Sequence, residues 1–191
     1  MAPVPAFWAS PSRRWSRSVL SPHMRNHQIT RLADRPDAVD IVARWDFEEW
    51  GTGPEEVSLE VTRRRFACWA TDGGIPCAYV AVVDDEVCGS ASLVDHDMSD
   101  PPESTEDLRP WLSGVYVKPE RRKTGLGAAL VEAVEKAASN LHHPRLYLYT
   151  GPVTAVKFYA PMGWEKILSP RYEGKEVVVM QKVLAVEKAS T

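Results

Sequence analysis

From residue 26 onward, apolar and polar positions alternate in two distinct periods. "HQITRL" alternates residue by residue, the mark of a half-buried strand. In "RPDAVDIVARWDFEEW" the period lengthens to that of a helix, with Pro36 in the first turn and Ala38, Ile41, Val42 and Trp45 on one face. Gly51 and Gly53 stop it, and Thr52 or Gly53 precedes a second helix, "PEEVSLEVTRRRFACWA", with Pro54, Glu55 and Glu56 in its first turn. Gly73 and Gly74 break the chain again. "CAYVAVV" and "VCGSASLVD" then read as a hairpin closed by the acidic turn "DDE". An acidic, proline-containing loop covers residues 95–109. "WLSGVYV" is apolar on both faces, as a central strand would be.

A helix beyond Gly125 places Leu126, Leu130, Ala133, Val134, Ala137 and Leu141 on one face, with Glu132, Glu135 and Lys136 opposite. "RLYLYT" follows as a strand, "TAVKFYA" as a short helix, and "WEKIL" and "EVVVMQKVL" as closing strands. Hairpins combined with one strand–helix–strand crossover predict a single α/β domain around a mixed sheet, over residues 26–186. Residues 187–191 form a tail. Residues 1–25 read as a disordered extension or as an artefact of a start placed upstream of Met24; the arginines and the lack of any acid before Asp34 are also transit-peptide-like.

A net charge of -3 argues against the broad basic surface of a nonspecific nucleic-acid binder, and no apolar run approaches the roughly 20 residues that cross a bilayer. Cys68, Cys77 and Cys88 form no CxxC pair, which fits reduced thiols in a cytoplasmic protein, with no metal site. His142 and His143 suit a helix C-terminus better than a metal.

The chemistry concentrates in "WLSGVYVKPERRKTGLGAAL", where a strand meets a helix through a basic, glycine-rich corner. Helix N-terminal amides lack intrahelical acceptors and carry partial positive charge, so such a corner suits an anion such as phosphate. Arg121, Arg122 and Lys123 add full charges. The P-loop pattern is missing, and "GLGAAL" puts Leu130 where a dinucleotide fingerprint needs its third glycine. "RKTGLG" satisfies R/Q-x-x-G-x-G/A.

Together with the preceding strand and the downstream "AVKFYAPMGW", this arrangement resembles the GCN5-related N-acetyltransferase (GNAT) superfamily over residues 28–184. The resemblance implies a central, mostly antiparallel twisted sheet of about six to seven strands flanked by about four helices. It implies acetyl-CoA as co-substrate, its pantetheine arm on Val115, Tyr116 and Val117 as an added strand. The pyrophosphate would then lie on Arg122, Lys123, Thr124, Gly125, Leu126, Gly127 and Ala128. It also implies Tyr159 as general acid for the departing thiolate, a role a phenol can fill. Pro152 departs from the family pattern, which often has a cofactor-contacting asparagine there.

The acceptor would be a primary amine on a small molecule or a protein. Asp95, His96 and Asp97 close the strand before the cofactor strand and could attract a cationic amine, and Trp111 and Trp50 stand at element ends, where rings line pocket rims. A non-catalytic acyl-CoA sensor and a nucleotide-binding regulator are the alternatives. The oligomeric state, with a homodimer among the possibilities, stays open.

Overall fold

A computed structural model describes residues 27–51, 58–70, 74–151 and 153–185. The proposed N-terminal extension, the 187–191 tail, Pro54, Glu55, Glu56, Gly73 and Pro152 lie outside them. The elements are β1 (His27–Arg31), α1 (Val39–Trp50), α2 (Leu59–Trp69), β2 (Cys77–Val83), β3 (Glu86–Val94), β4 (Trp111–Val117), α3 (Leu126–Asn140), β5 (Arg145–Thr150), α4 (Val153–Tyr159), β6 (Glu165–Leu168), β7 (Arg171–Tyr172), β8 (Lys175–Glu176) and β9 (Val178–Val183). Seven strands form one sheet in the order β1-β2-β3-β4-β5-β9-β6, and only β4 and β5 run parallel. That is the mostly antiparallel α/β architecture expected.

The period-2 alternation of β2 explains the layering. Cys77, Ala81 and Val83 face α3 in one core, while Ala78, Val80 and Val82 face α1 and α2 in another. β4 is the fourth of the seven strands, so its apolar character reflects a central position. Asp84 and Asp85 turn the β2–β3 hairpin with φ of 52° and 66°, a left-handed pair that aspartate tolerates.

Three local expectations change. The helix α2 begins at Leu59, where the Ser58 hydroxyl accepts the Val61 N–H, a cap that supplies the acceptor the first turn lacks. Ile41 and Leu141 are exposed, because α1 buries Val39, Val42 and Ala43 and α3 buries Val131 and Ala138 instead. The β7–β8 hairpin has two residues per strand, too few to show a period in sequence. Among the described residues no helix is long and apolar enough to cross a membrane.

Candidate active site

β4 and β5 share a single bridging pair, Trp111 with Tyr147, and then diverge. The cause lies in β4: its ladder with β3 shifts register opposite Ala91, where Gly114 takes φ +59°. A bulge bends its strand and sharpens the local twist, and glycine supplies the left-handed conformation without a Cβ clash. The result is a parallel pair that opens toward the C-terminal end of β4.

The glycine corner sits at the end of that opening. Gly125 caps α3 with φ +92° and no side-chain acceptor, and Lys123 before it has φ +61°. The first intrahelical bond here runs from Ala129 N–H to the Gly125 carbonyl at 3.1 Å, so the amides of Leu126, Gly127 and Ala128 precede the helical ladder. A Cβ on Gly125 would meet nothing within 4 Å, and one on Gly127 would stand 3.1 Å from the Phe158 ring. The corner is thus open on its outer side and closed against α4 on its inner side. A helix start of this form, bare of side chains and flanked by Arg122 and Lys123, fits a diphosphate. Gly125→Val should cost about 1–2 kcal/mol through its left-handed backbone. It should also raise KM for acetyl-CoA; a thermal melt and a KM titration together read both effects.

Below the opening lies a cavity of about 1100 Å³. α1 brings Asp46 and Trp50 to it, α2 brings Arg65 and Trp69, β5 brings Tyr149, and α4 brings Tyr159. Asp97 lies on its wall, partly exposed, and accepts a hydrogen bond from the Ser113 hydroxyl. Burial pushes its carboxyl up from 3.8 to about 6; the Ser113 bond opposes the shift, the Asp46 charge adds to it, and Arg65 counters it. Burial, reinforced by the Asp97 charge, pushes the Tyr159 phenol up to about 12. Tyr149 is raised in the same way, by burial first and Asp97 second. The Asp46 carboxyl is also raised by burial, against the attraction of Arg65, with which it forms an ion pair.

The predicted residues separate clearly. Asp97, His96 and Tyr159 line the cavity together with Val115. Asp95 is half-exposed and paired with His96 at 2.9 Å and Arg109 at 3.8 Å, outside it. Lys118 N–H donates to the Cys88 carbonyl, so ladder alternation turns the N–H and C=O of Val117 away from β3, where Arg122 Nε reaches that carbonyl at 3.0 Å. Tyr116 faces Ser90 of β3 in the ladder, and its ring stacks on Trp45 at 5.0 Å. Arg121 is drawn off to Glu86 at 3.2 Å, so it does not add charge to the corner. Thr124 donates to the Arg121 carbonyl at 2.6 Å and shapes the turn.

Trp111 is a correction. It is 2% exposed, its indole N–H donates to the Leu108 carbonyl at 2.5 Å, and its ring packs on Tyr147 and Tyr149. It is core, because the acidic loop folds back over the start of β4. Trp50 and Trp69 are the tryptophans that reach the cavity. Asp46, Arg65, Tyr149 and Ser113 carry no signal in sequence, since each lies within an ordinary helical or strand pattern.

Residues 36–164, more than half of the chain, match the Acetyltransferase (GNAT) family. No curated protein sequence matches the chain. Among solved structures, an acetyltransferase from Streptococcus agalactiae superposes with a TM-score of 0.60 at 15% identity, covering 83% of this chain and 98% of its own. The ribosomal-protein-S18-alanine N-acetyltransferase of Escherichia coli gives 0.56 at 17% identity, covering 86% and 98%. A candidate streptothricin acetyltransferase of Bacillus anthracis, solved in complex with acetyl coenzyme A, gives 0.53 at 18% identity, covering 63% and 68%. These likenesses share the fold, and the sequence match supplies the lineage. With its splayed central strands and glycine-capped helix, the chain belongs to the acetyltransferase (GNAT) family and is a transferase that uses acetyl-CoA.

Proposed function

We propose that this chain acetylates a primary amine by direct attack within a ternary complex, with Asp97 taking the proton of the incoming ammonium and Tyr159 protonating the departing thiolate. One observation carries the reading: a partly buried carboxylate that, among the described residues, has no cationic hydrogen-bond partner and a partly buried phenol line the same cavity, beneath the opening between β4 and β5. A carboxyl near 6 is mostly ionised at neutral pH and accepts a proton. A phenol near 12 stays protonated and can donate one.

Acetyl-CoA supplies the thioester carbonyl. The ammonium first gives one proton to Asp97, leaving a neutral amine. The carbon–nitrogen bond then forms as the carbon–sulfur bond breaks, the second proton lost by nitrogen passes to water in the open cavity, and the Tyr159 proton goes to the sulfur. Both groups reset by exchange with water in the open cavity. Backbone N–H groups of β4 about Val115 and Val117 are the candidate donors to the developing oxyanion. The corner residues from Arg122 to Ala128 anchor the diphosphate and so place the thioester by proximity. The anionic floor of Asp97 favours a cationic acceptor. The E. coli enzyme named above acts on a ribosomal protein's alanine, which shows that this fold admits protein acceptors as well as small ones.

Amine-dependent release of free thiol from acetyl-CoA tests the proposal. Turnover that rises with amine concentration supports it; cofactor binding with no amine-dependent thiol is the behaviour of a sensor and would defeat it.

A further inference from the structure

We propose that the acceptor is a small monoamine with a flat, uncharged apolar body, seated with that body on Trp50 and its amine toward Asp97. The inference rests on the N-acetyltransferase reading above and narrows its substrate.

Trp50 ends α1 with 48% of its surface exposed, and among the described residues no ring stacks on it. Its Cζ3 atom lies 4.0 Å from where a Gly114 Cβ would stand, and Asp46 Oδ1 lies 3.6 Å from the same point. Gly114 follows Ser113, whose hydroxyl holds Asp97. An uncovered indole therefore stands over the β4 bulge, one residue along from the serine that holds the proton acceptor. A planar apolar group placed there removes surface from water on both partners and gains ring–ring contact.

The remaining wall selects against other amines. Trp69 is covered by the Arg65 guanidinium at 5.2 Å, and Arg65 is bound to Asp46. On that side a polyamine's second ammonium would meet this fixed cation, whose carboxylate is already matched; Glu49 and Glu173 lie elsewhere on the lining, which makes spermidine a discriminating arm of the test. A peptide needs partners for its backbone, whereas here the Tyr172 hydroxyl ties the β7–β8 hairpin to Ser99, at 3.1 Å to its N–H and 3.2 Å to its hydroxyl, along the cavity's edge. A single cation on an apolar body meets neither obstacle.

The test compares kcat/KM of the full chain for phenethylamine, n-propylamine, spermidine and a short peptide with a free N-terminus, at saturating acetyl-CoA. Phenethylamine should exceed n-propylamine by on the order of tenfold or more. Trp50→Ala should collapse that ratio toward one, and Trp50→Phe should keep most of it; circular dichroism and acetyl-CoA binding confirm that both variants fold. Preference for spermidine or the peptide, or a ratio that survives Trp50→Ala, overturns the inference while leaving N-acetyl transfer intact. No thiol release with any amine overturns both.

Discussion

Asp97→Asn is expected to lower kcat by about a hundredfold while raising the melting temperature at pH 8. The two effects share one cause. Burial lifts the folded-state carboxyl from 3.8 to about 6, so the native protein binds a proton more readily than the unfolded chain between those values. A group raised in this way costs stability above pH 6, where it is ionised and poorly solvated, and the cost disappears below about 3.8. The size follows from the shift, (6 − 3.8) × 1.36, or about 3 kcal/mol at most. Asparagine keeps an oxygen for the Ser113 hydroxyl and carries no charge. Melts at pH 8 and pH 4 should therefore show a gain at the first that shrinks at the second. The rate profile makes the complementary statement: wild-type activity falls as pH drops through about 6, and the variant's residual activity should lose that limb. A variant of unchanged rate, or one that retains the limb, removes Asp97 as the proton acceptor.

Tyr159→Phe should lower kcat about a hundredfold at saturating acetyl-CoA and amine, the scale of one general acid. The ring packs at 4.9 Å on Phe158 and 6.0 Å on Trp164, and phenylalanine preserves both contacts, so the fold and the KM for acetyl-CoA should change little. Because the phenol sits near 12, it remains protonated across the working range, and any alkaline limb below pH 10 belongs to another group. Steady-state kinetics on the purified variant decide the matter: full turnover at saturation would exclude Tyr159 as the acid.

The corner is legible in sequence because its physics is local. Charge, glycine and the change of hydrophobic period fall within consecutive residues, and the left-handed positions at Lys123 and Gly125 lie where the pattern turns. The acceptor wall is not local. Asp46 stands beside Glu48 and Glu49 in one helical run, Arg65 beside Arg63 and Arg64 in another, and only packing of α1 on α2 joins residues 19 apart into a pair at the cavity. Trp111 misleads because the end of an element in sequence need not be its edge in space; the loop before it closes over the ring. Asp97 stands out only in three dimensions, where it turns into the cavity and binds Ser113 while its neighbour Asp95 is solvated.

The divergence of β4 from β5 has a second consequence. Unpaired strand edges normally occur at the margins of a sheet, where proteins shield them from other chains. Here two such edges lie in the middle of the sheet, facing each other past the Trp111–Tyr147 pair, with β1, β2 and β3 on one flank and β9 and β6 on the other. The sheet consists of two ladders joined at one rung, a gap of the kind that a ligand able to hydrogen-bond like a strand would fill. On the proposed reading, in which the acyl donor lies along β4, loading would also restore the continuity of the sheet, and thermal melts should rise with acetyl-CoA concentration.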